Sequence, residues 1–363
     1  MSHSILSPSS SHRWLHCTPS ARLEETYPDT SGLAAKEGTA AHALCEHKLK
    51  VALGMQSDRP ESDFQDEAME RHSDEYVSWI LETIKDEIKP VIMIEQKLDL
   101  SAYVPEGFGT ADCIIASDNK LHVIDFKYGL GVLVNAENNT QMMLYALGAL
   151  GLFDAIFDIE TIEMKIFQPR KENISTWSIT PDELKTWAHE ILKPNAELAF
   201  NGDGELCNGS WCQFCKAAAT CKKRAEAALE LARKEFKEAS SLSDEEIEQI
   251  LPKLDDLIKW AEEIKEYAQQ KALKGKKWTG FKLVAGRSNR KYVSEAKVIA
   301  ACQAAGFTDI YKKSLRTITD MEKVMTKPIF QEVLGDLVTK PAGKPTLVPV
   351  SDKRKEIEFT KEK

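Results

Sequence analysis

Residues 107–129, GFGTADCIIASDNKLHVIDFKYG, decide how this chain is read. Two largely apolar runs, GFGTADCIIAS and KLHVIDFKYG, meet at a DNK turn, a pattern that predicts two strands folded back antiparallel. Side chains alternate along a strand, so Asp125 and Lys127 leave from the same face, with Phe126 on the other. A carboxylate and an ammonium emerging together from an apolar strand are either a satisfied ion pair or part of a site that handles charge. The turn also brings Asp112, just ahead of CIIAS, near Asp125. Two neighbouring carboxylates repel unless a cation lies between them, and Mg²⁺, which takes a couple of carboxylates and keeps several waters, is the usual solution. A lysine beside such an ion can orient or deprotonate water, or stabilise charge building on a phosphate.

The flanking segments supply the rest of an α/β core. Upstream, KEGTAAHALCEHKLKVAL predicts a helix beginning near Gly38 and Thr39. Residues 67–89 carry Tyr76, Val77, Ile80, Ile84 and Ile88 at helical spacing, and Pro90 closes that helix. VIMIEQKLDL predicts a strand before the central pair. Downstream come a helix, NNTQMMLYALGALGLF, a strand, TIEMKIFQPR, and a short strand around STWSI. TPDELKTWAHEILKPNAEL then opens with Thr180, Pro181 and Glu183 in a capping-box arrangement. The expected core is therefore a mixed central sheet flanked by helices, ending near Phe200.

Further polar pairs sit on the helices. His42 and Glu46 are four residues apart, as are Gln141 and Tyr145, so each pair shares a helix face. Alone, the first reads equally as a hydrogen-bonded surface pair and the second as the polar rim of a half-buried helix.

GTAAH, GTAD, IDFK and QMMLY, in that order, resemble the PD-(D/E)XK nuclease superfamily in its RecB-like exonuclease branch, over residues 1–225. The resemblance implies a restriction-endonuclease-like core and assigns roles by position. His42, Asp112 and Asp125, with the Phe126 carbonyl, would hold Mg²⁺ or Mn²⁺, and Lys127 would be the catalytic lysine. Gln141 and Tyr145 match the branch's Q-x-x-x-Y signature, which supports the site and contacts DNA. One departure is conservative: the acid before x-K is Asp here, where Glu is commoner.

Four of eight cysteines crowd into CNGSWCQFCKAAATC, a C-x4-C-x2-C-x5-C pattern that points to zinc or iron–sulfur ligation. Two ligand sets are open: the local Cys207, Cys212, Cys215 and Cys221, or a split set in which Cys17 replaces Cys207. The context of Cys17, SPSSSHRWLHCTPSARLEE, is similar to the opening of iron–sulfur-bearing members of the RecB-like branch, where one N-terminal cysteine joins three C-terminal ones. That resemblance favours the split set and a 4Fe-4S cluster, with zinc as the alternative. Bridging positions 17 and 221 would staple the two ends of the core, since closing a long loop removes much unfolded-state entropy.

Beyond the cysteines, residues 226–275 read as a helical linker, 276–340 as a small basic unit and 341–363 as a flexible tail. Net charge is −9, yet residues 271–292 hold eight Lys/Arg and no acid, interleaved with Trp278, Phe281 and Tyr292. This is either a solvated basic hairpin or a DNA-binding track in which Lys282, Arg287, Arg290 and Lys291 hold phosphates and Trp278 stacks on bases. WTGFKLVAGRSNRKY resembles a family common in phages and prophages, which implies recombination or replication of DNA beside a single-strand-annealing protein.

Composition is that of a globular protein, 42% hydrophobic and 29% charged over 363 residues. The N-terminus lacks the apolar core of a secretory signal, and the longest apolar run, Met142 to Phe153, is 12 residues, too short for a bilayer. The expectation is a cytoplasmic metal-dependent DNA exonuclease with a structural iron–sulfur cluster and no membrane partner, its oligomeric state open. The competing expectations are a DNA-end or single-strand binder with a non-catalytic nuclease fold, and a ferredoxin-like electron carrier.

Overall fold

The computed structural model describes residues 4–28, 32–85, 87–233, 244–281, 318, 322 and 327–334. It divides into two compact units, Met1–Ala268 and Gln269–Lys363.

The first unit is a mixed α/β fold. Its five strands are β1 (Val91–Asp99), β2 (Phe108–Ser117), β3 (Lys120–Phe126), β4 (Thr161–Gln168) and β5 (Asn173–Ile179), adjacent in chain order. All neighbours are antiparallel except β3 and β4, which run parallel. A parallel pair needs a crossover, and helix α5 (Thr140–Phe153) provides it, capped at its start by the Asn139 side chain on the Gln141 and Met142 amides.

The preceding helices are α1 (Ser11–His16), α2 (Ser20–Glu25), α3 (Leu33–Ala52) and α4 (Glu67–Lys85). Helix α3 starts ahead of the expected Gly38. After the sheet come α6 (Pro181–Trp187), which opens with the expected capping box on Thr180 and Glu183, and α7 (Lys193–Asn201). Then follow the cysteine segment, α8 (Lys222–Arg233) and α9 (Asp244–Leu273).

Strand alternation divides the core in two. Ile114, Ala116, Leu121, Val123, Met164 and Ile166 pack with α5, α6 and α7. Cys113, Ile115, Ile124, Phe126 and Phe167 pack with α3 and α4 on the opposite face. Gly148 on α5 permits close packing on β1, where a Cβ would come 2.8 Å from that of Leu98.

The compact unit runs past the boundary expected at 225. Arg224 on α8 is fully buried and joins Asp256 and Glu263 of α9, which ties both helices of the expected linker to the unit. In the second unit the described residues form the end of α9, positions 274–281, and α10 (Lys327–Leu334). Most of the basic stretch and the whole 341–363 tail lie outside the described residues. No described helix is long and apolar enough to cross a membrane.

Candidate functional site

The central hairpin places Asp112 and Asp125 opposite one another, one step beyond the Cys113–Ile124 pair. The strand alternation slips here. Ala111 and Cys113, two residues apart, belong to opposite core faces, and in β1 Ile94 and Leu98 do likewise. Within the slip Glu95 has a left-handed backbone, φ +50°, and stands across from Asp112 in the β1–β2 register. A non-glycine residue in that conformation inside a strand is uncommon.

Asp112 Oδ1 lies 3.2 Å from His42 Nδ1 on α3, and its Oδ2 accepts the Phe126 amide at 2.7 Å. The His42 ring meets Phe126 edge-on at 5.5 Å. His42, Glu95 and Asp112 each offer a ligand atom within 4.8 Å of the others. They line a cleft of about 210 Å³ with Tyr76, whose buried hydroxyl has no hydrogen-bond partner among the described residues.

Asp125 is 2% exposed and belongs to the face that meets α5. Lys127 Nζ is 2.9 Å from its Oδ2, and Gln141 Nε2 donates to its Oδ1 at 3.2 Å. Gln141 also accepts from Lys127 Nζ at 3.0 Å and donates to the Tyr145 hydroxyl at 3.2 Å. Gly109 of GFGT makes room for that tyrosine, because a Cβ there would come 2.8 Å from its ring. Asp125 Oδ2 accepts no directed hydrogen bond from the described residues.

The electrostatics follow from two acids sharing one buried corner. Burial works against ionising Asp112, but His42, the Phe126 amide and Lys127 outweigh it and hold the carboxyl below its ordinary range. Asp125 goes the other way: burial and the Asp112 charge raise it despite Lys127. Burial opposes charge on His42, yet Asp112 and Asp125 lift the imidazole to about 9. Glu95 is raised to about 7, first by burial and then by Asp112. Three acids thus compete for one corner and two of them are pushed toward the neutral form, and the donor set of carboxylates and imidazole suits a hard or borderline divalent cation.

His42, Asp112, Asp125, Lys127, Gln141 and Tyr145 therefore assemble at one end of the sheet, and Phe126 links the two acids through its amide. Glu95 is absent from the sequence-based set. Its signal was a lone acid after VIMI, and only the β1–β2 register puts it opposite Asp112.

A second cluster forms where the ends of the core meet. Thr18 Oγ1 donates to the Asp203 carbonyl at 2.6 Å, and the Lys216 amide donates to Glu24 Oε1 at 2.6 Å. Cys17, Cys207, Cys212, Cys215 and Cys221 line one small cavity together with Arg224. Cys17 Sγ accepts the Cys207 amide at 3.4 Å, while the Cys207 thiol turns to the Glu205 carbonyl at 3.6 Å. No three described cysteine sulfurs come within 4.8 Å of one another. A single tetrahedral zinc, with bonds near 2.3 Å, would draw four sulfurs to about 3.8 Å apart. Burial raises the thiols of Cys17, Cys212 and Cys215.

Of the expected DNA contacts, Trp278 is half-buried, with Lys276 Nζ 5.6 Å from its ring centre. Lys282, Arg287, Arg290 and Lys291 lie outside the described residues.

A family model described as "Protein of unknown function (DUF2800)" matches residues 3–355. A solved structure titled "Crystal structure of SSO0001" is similar over 59% of this chain and 96% of its own, at 14% identity and a TM-score of 0.25.

Proposed function

The chain belongs to the DUF2800 family, and we propose that it is a metal-dependent DNA nuclease of the PD-(D/E)XK type, acting on linear DNA as an exonuclease. The observation that carries this reading is the register of the central hairpin, with Asp112 and Asp125 opposite one another, His42 on the first and Lys127 on the second.

Asp112, Asp125, His42 and Glu95 would hold one or two Mg²⁺ or Mn²⁺ ions. Three features of the corner fit such ions: the opposed carboxylates, the His42–Glu95–Asp112 donor set and the Tyr76 hydroxyl, which has no hydrogen-bond partner among the described residues. A bound divalent ion supplies a Lewis acid and lowers the pKa of a bound water. Lys127, held between Asp125 and Gln141, presents ammonium protons toward the reacting phosphate or water. Gln141 fixes the lysine and passes its second hydrogen bond to Tyr145, which sets the polar rim where the DNA backbone would enter. His42 must give up the proton that the acids stabilise before its nitrogen can ligate a metal.

The cysteine cluster is proposed as a structural 4Fe-4S centre on Cys17, Cys212, Cys215 and Cys221. The Cys207 amide on the Cys17 sulfur supports this set over the local one, since it makes Cys207 a backbone donor to a ligand. The wide sulfur spacing supports a polynuclear centre over a lone zinc.

The test compares wild type, Asp125→Asn and Lys127→Ala on linear DNA with Mn²⁺ or EDTA, measuring cleavage and binding separately. Cleavage by wild type in Mn²⁺ and a loss of about 10²–10⁴-fold in each variant, with DNA binding kept, is the expected result. Binding to DNA ends by all three proteins without cleavage under any metal would replace the nuclease with an end-binding module.

A further inference from the structure

Arg224 is one of two buried arginines in the cysteine corner, with Arg13, and the nuclease reading leaves it without a task. It is 1% exposed and stands three residues after Cys221, in the first turn of α8. Both terminal nitrogens are occupied: Nη2 donates to Asp256 at 3.1 Å and Nη1 to Glu263, both on α9. Its Nε, in contrast, is buried with no partner among the described residues. The side chain lines the same cavity as Cys17, Cys212, Cys215 and Cys221. A buried N–H donor left unpaired is costly, so the group calls for a partner such as an ordered water, an ion or a ligand atom.

Several alternatives to a metal-bound sulfur fail. The cavity wall is five thiols, Arg13, Trp211, apolar side chains and Ser20, whose hydroxyl accepts from Arg13 Nε at 3.3 Å. Glu24 is not part of that wall and is engaged by Arg13 at 2.6 Å and by the Lys216 amide. An acid partner for Nε is thus missing, while sulfurs are abundant. Thiolates gathered on a metal carry net negative charge, and a guanidinium N–H beside them both balances charge and fixes sulfur orientation.

We propose that Arg224 is a positioning residue of the cysteine centre: its Nε–H donates to a metal-bound cysteine sulfur or bridging sulfide, while its terminal fork fixes helix α9 to the same centre. The inference rests on the cysteine-centre reading above. It makes the centre more than a staple between positions 17 and 221, because α9 is then held to it through one side chain.

The experiment uses full-length protein purified without oxygen, as wild type, Arg224→Lys, Arg224→Gln and the double variant Asp256→Asn/Glu263→Gln. Iron, sulfide and zinc per chain are measured, then the rate of metal release to a chelator and the reduction midpoint of the loaded centre. Arg224→Lys keeps a cation for Asp256 and Glu263 but removes the Nε donor. Both Arg224 variants are expected to release metal about 10–100-fold faster than wild type. The midpoint should also fall, because hydrogen bonds to the sulfurs raise it. The double variant keeps Nε and should stay near wild type in both readouts. If Arg224→Lys matches wild type, or the double variant loses metal as fast as Arg224→Lys, then Arg224 is only a clamp between α8 and α9 and the proposal falls. A wild-type chain that binds neither iron nor zinc overturns the cysteine centre itself, an outcome separable from the first.

Discussion

Replacing Glu95 by glutamine should stabilise the metal-free protein while abolishing its proposed cleavage. The carboxylate is partly buried beside Asp112, and its pKa rises from the ordinary 4.5 to about 7. At about 1.4 kcal/mol per pKa unit, that environment would cost the folded state about 3.5 kcal/mol when the group is ionised, and solvent screening of a partly exposed carboxylate reduces this to about 2–3 kcal/mol. The sign follows from proton counting: between pH 4.5 and 7 the folded protein holds a proton that the unfolded chain has released. Stability contributed by this group is therefore full below pH 4.5 and is lost as pH rises through 7. Glu95→Gln keeps the shape and removes the charge. Its melting midpoint in EDTA should match wild type near pH 4.5. Above pH 7 it should exceed wild type by about 5–10 °C, at about 2–4 °C per kcal/mol for a unit of this size. Mn²⁺ at about 100 times its Kd should return about 2.7 kcal/mol to wild type alone and close the gap. Thermal melts across pH 4.5–8, with EDTA and with Mn²⁺, check all three points. A Glu95→Gln protein that is less stable in EDTA at pH 7.5, or gains equally at pH 4.5 and 7.5, would refute the argument that Glu95 is strained into place for a cation.

Two further outcomes are expected. Cys17→Ser should strip the metal from the cysteine corner and lower the melting midpoint, whereas Cys207→Ser should keep it because it leaves in place the backbone amide that donates to the Cys17 sulfur; metal analysis of both proteins decides between the two ligand sets. His122, 2% exposed between Glu87 at 2.8 Å and Glu163 at 3.2 Å, is held below the ordinary 6.5 by burial and then by Lys165. The unfolded chain therefore takes up its proton first as pH falls below 6.5, so His122→Asn should show a shallower loss of stability from pH 6.5 to 5 than wild type, read from melts at each pH.

Much of the site was legible in the residues because its parts are local. Asp125 and Lys127 are two apart across the end of β3, Gln141 and Tyr145 four apart on one helix, and the DNK turn is short enough to bring Asp112 opposite Asp125. Fixed strand and helix periods turn such spacings into shared faces. The cysteine spacing likewise showed that Cys207, Cys212, Cys215 and Cys221 lie together, but left open whether Cys17 or Cys207 completes the proposed ligand set.

Periodicity alone does not specify an interruption of itself, and the rest lay there or at long range. The left-handed Glu95 and the slipped alternation around it turn Asp112 toward α3 and His42, and no local pattern encodes that break. Only tertiary contacts show that Thr18 meets Asp203, that Cys17 joins the far cysteines, and that Arg224 reaches two acids on α9. The chain by itself set the elements and the chemistry they carry, through spacings shorter than a dozen residues. Which carboxylates come together with His42, and which thiols gather around one cavity, was decided by packing between segments far apart in sequence, because burial and charge act through space rather than along the chain.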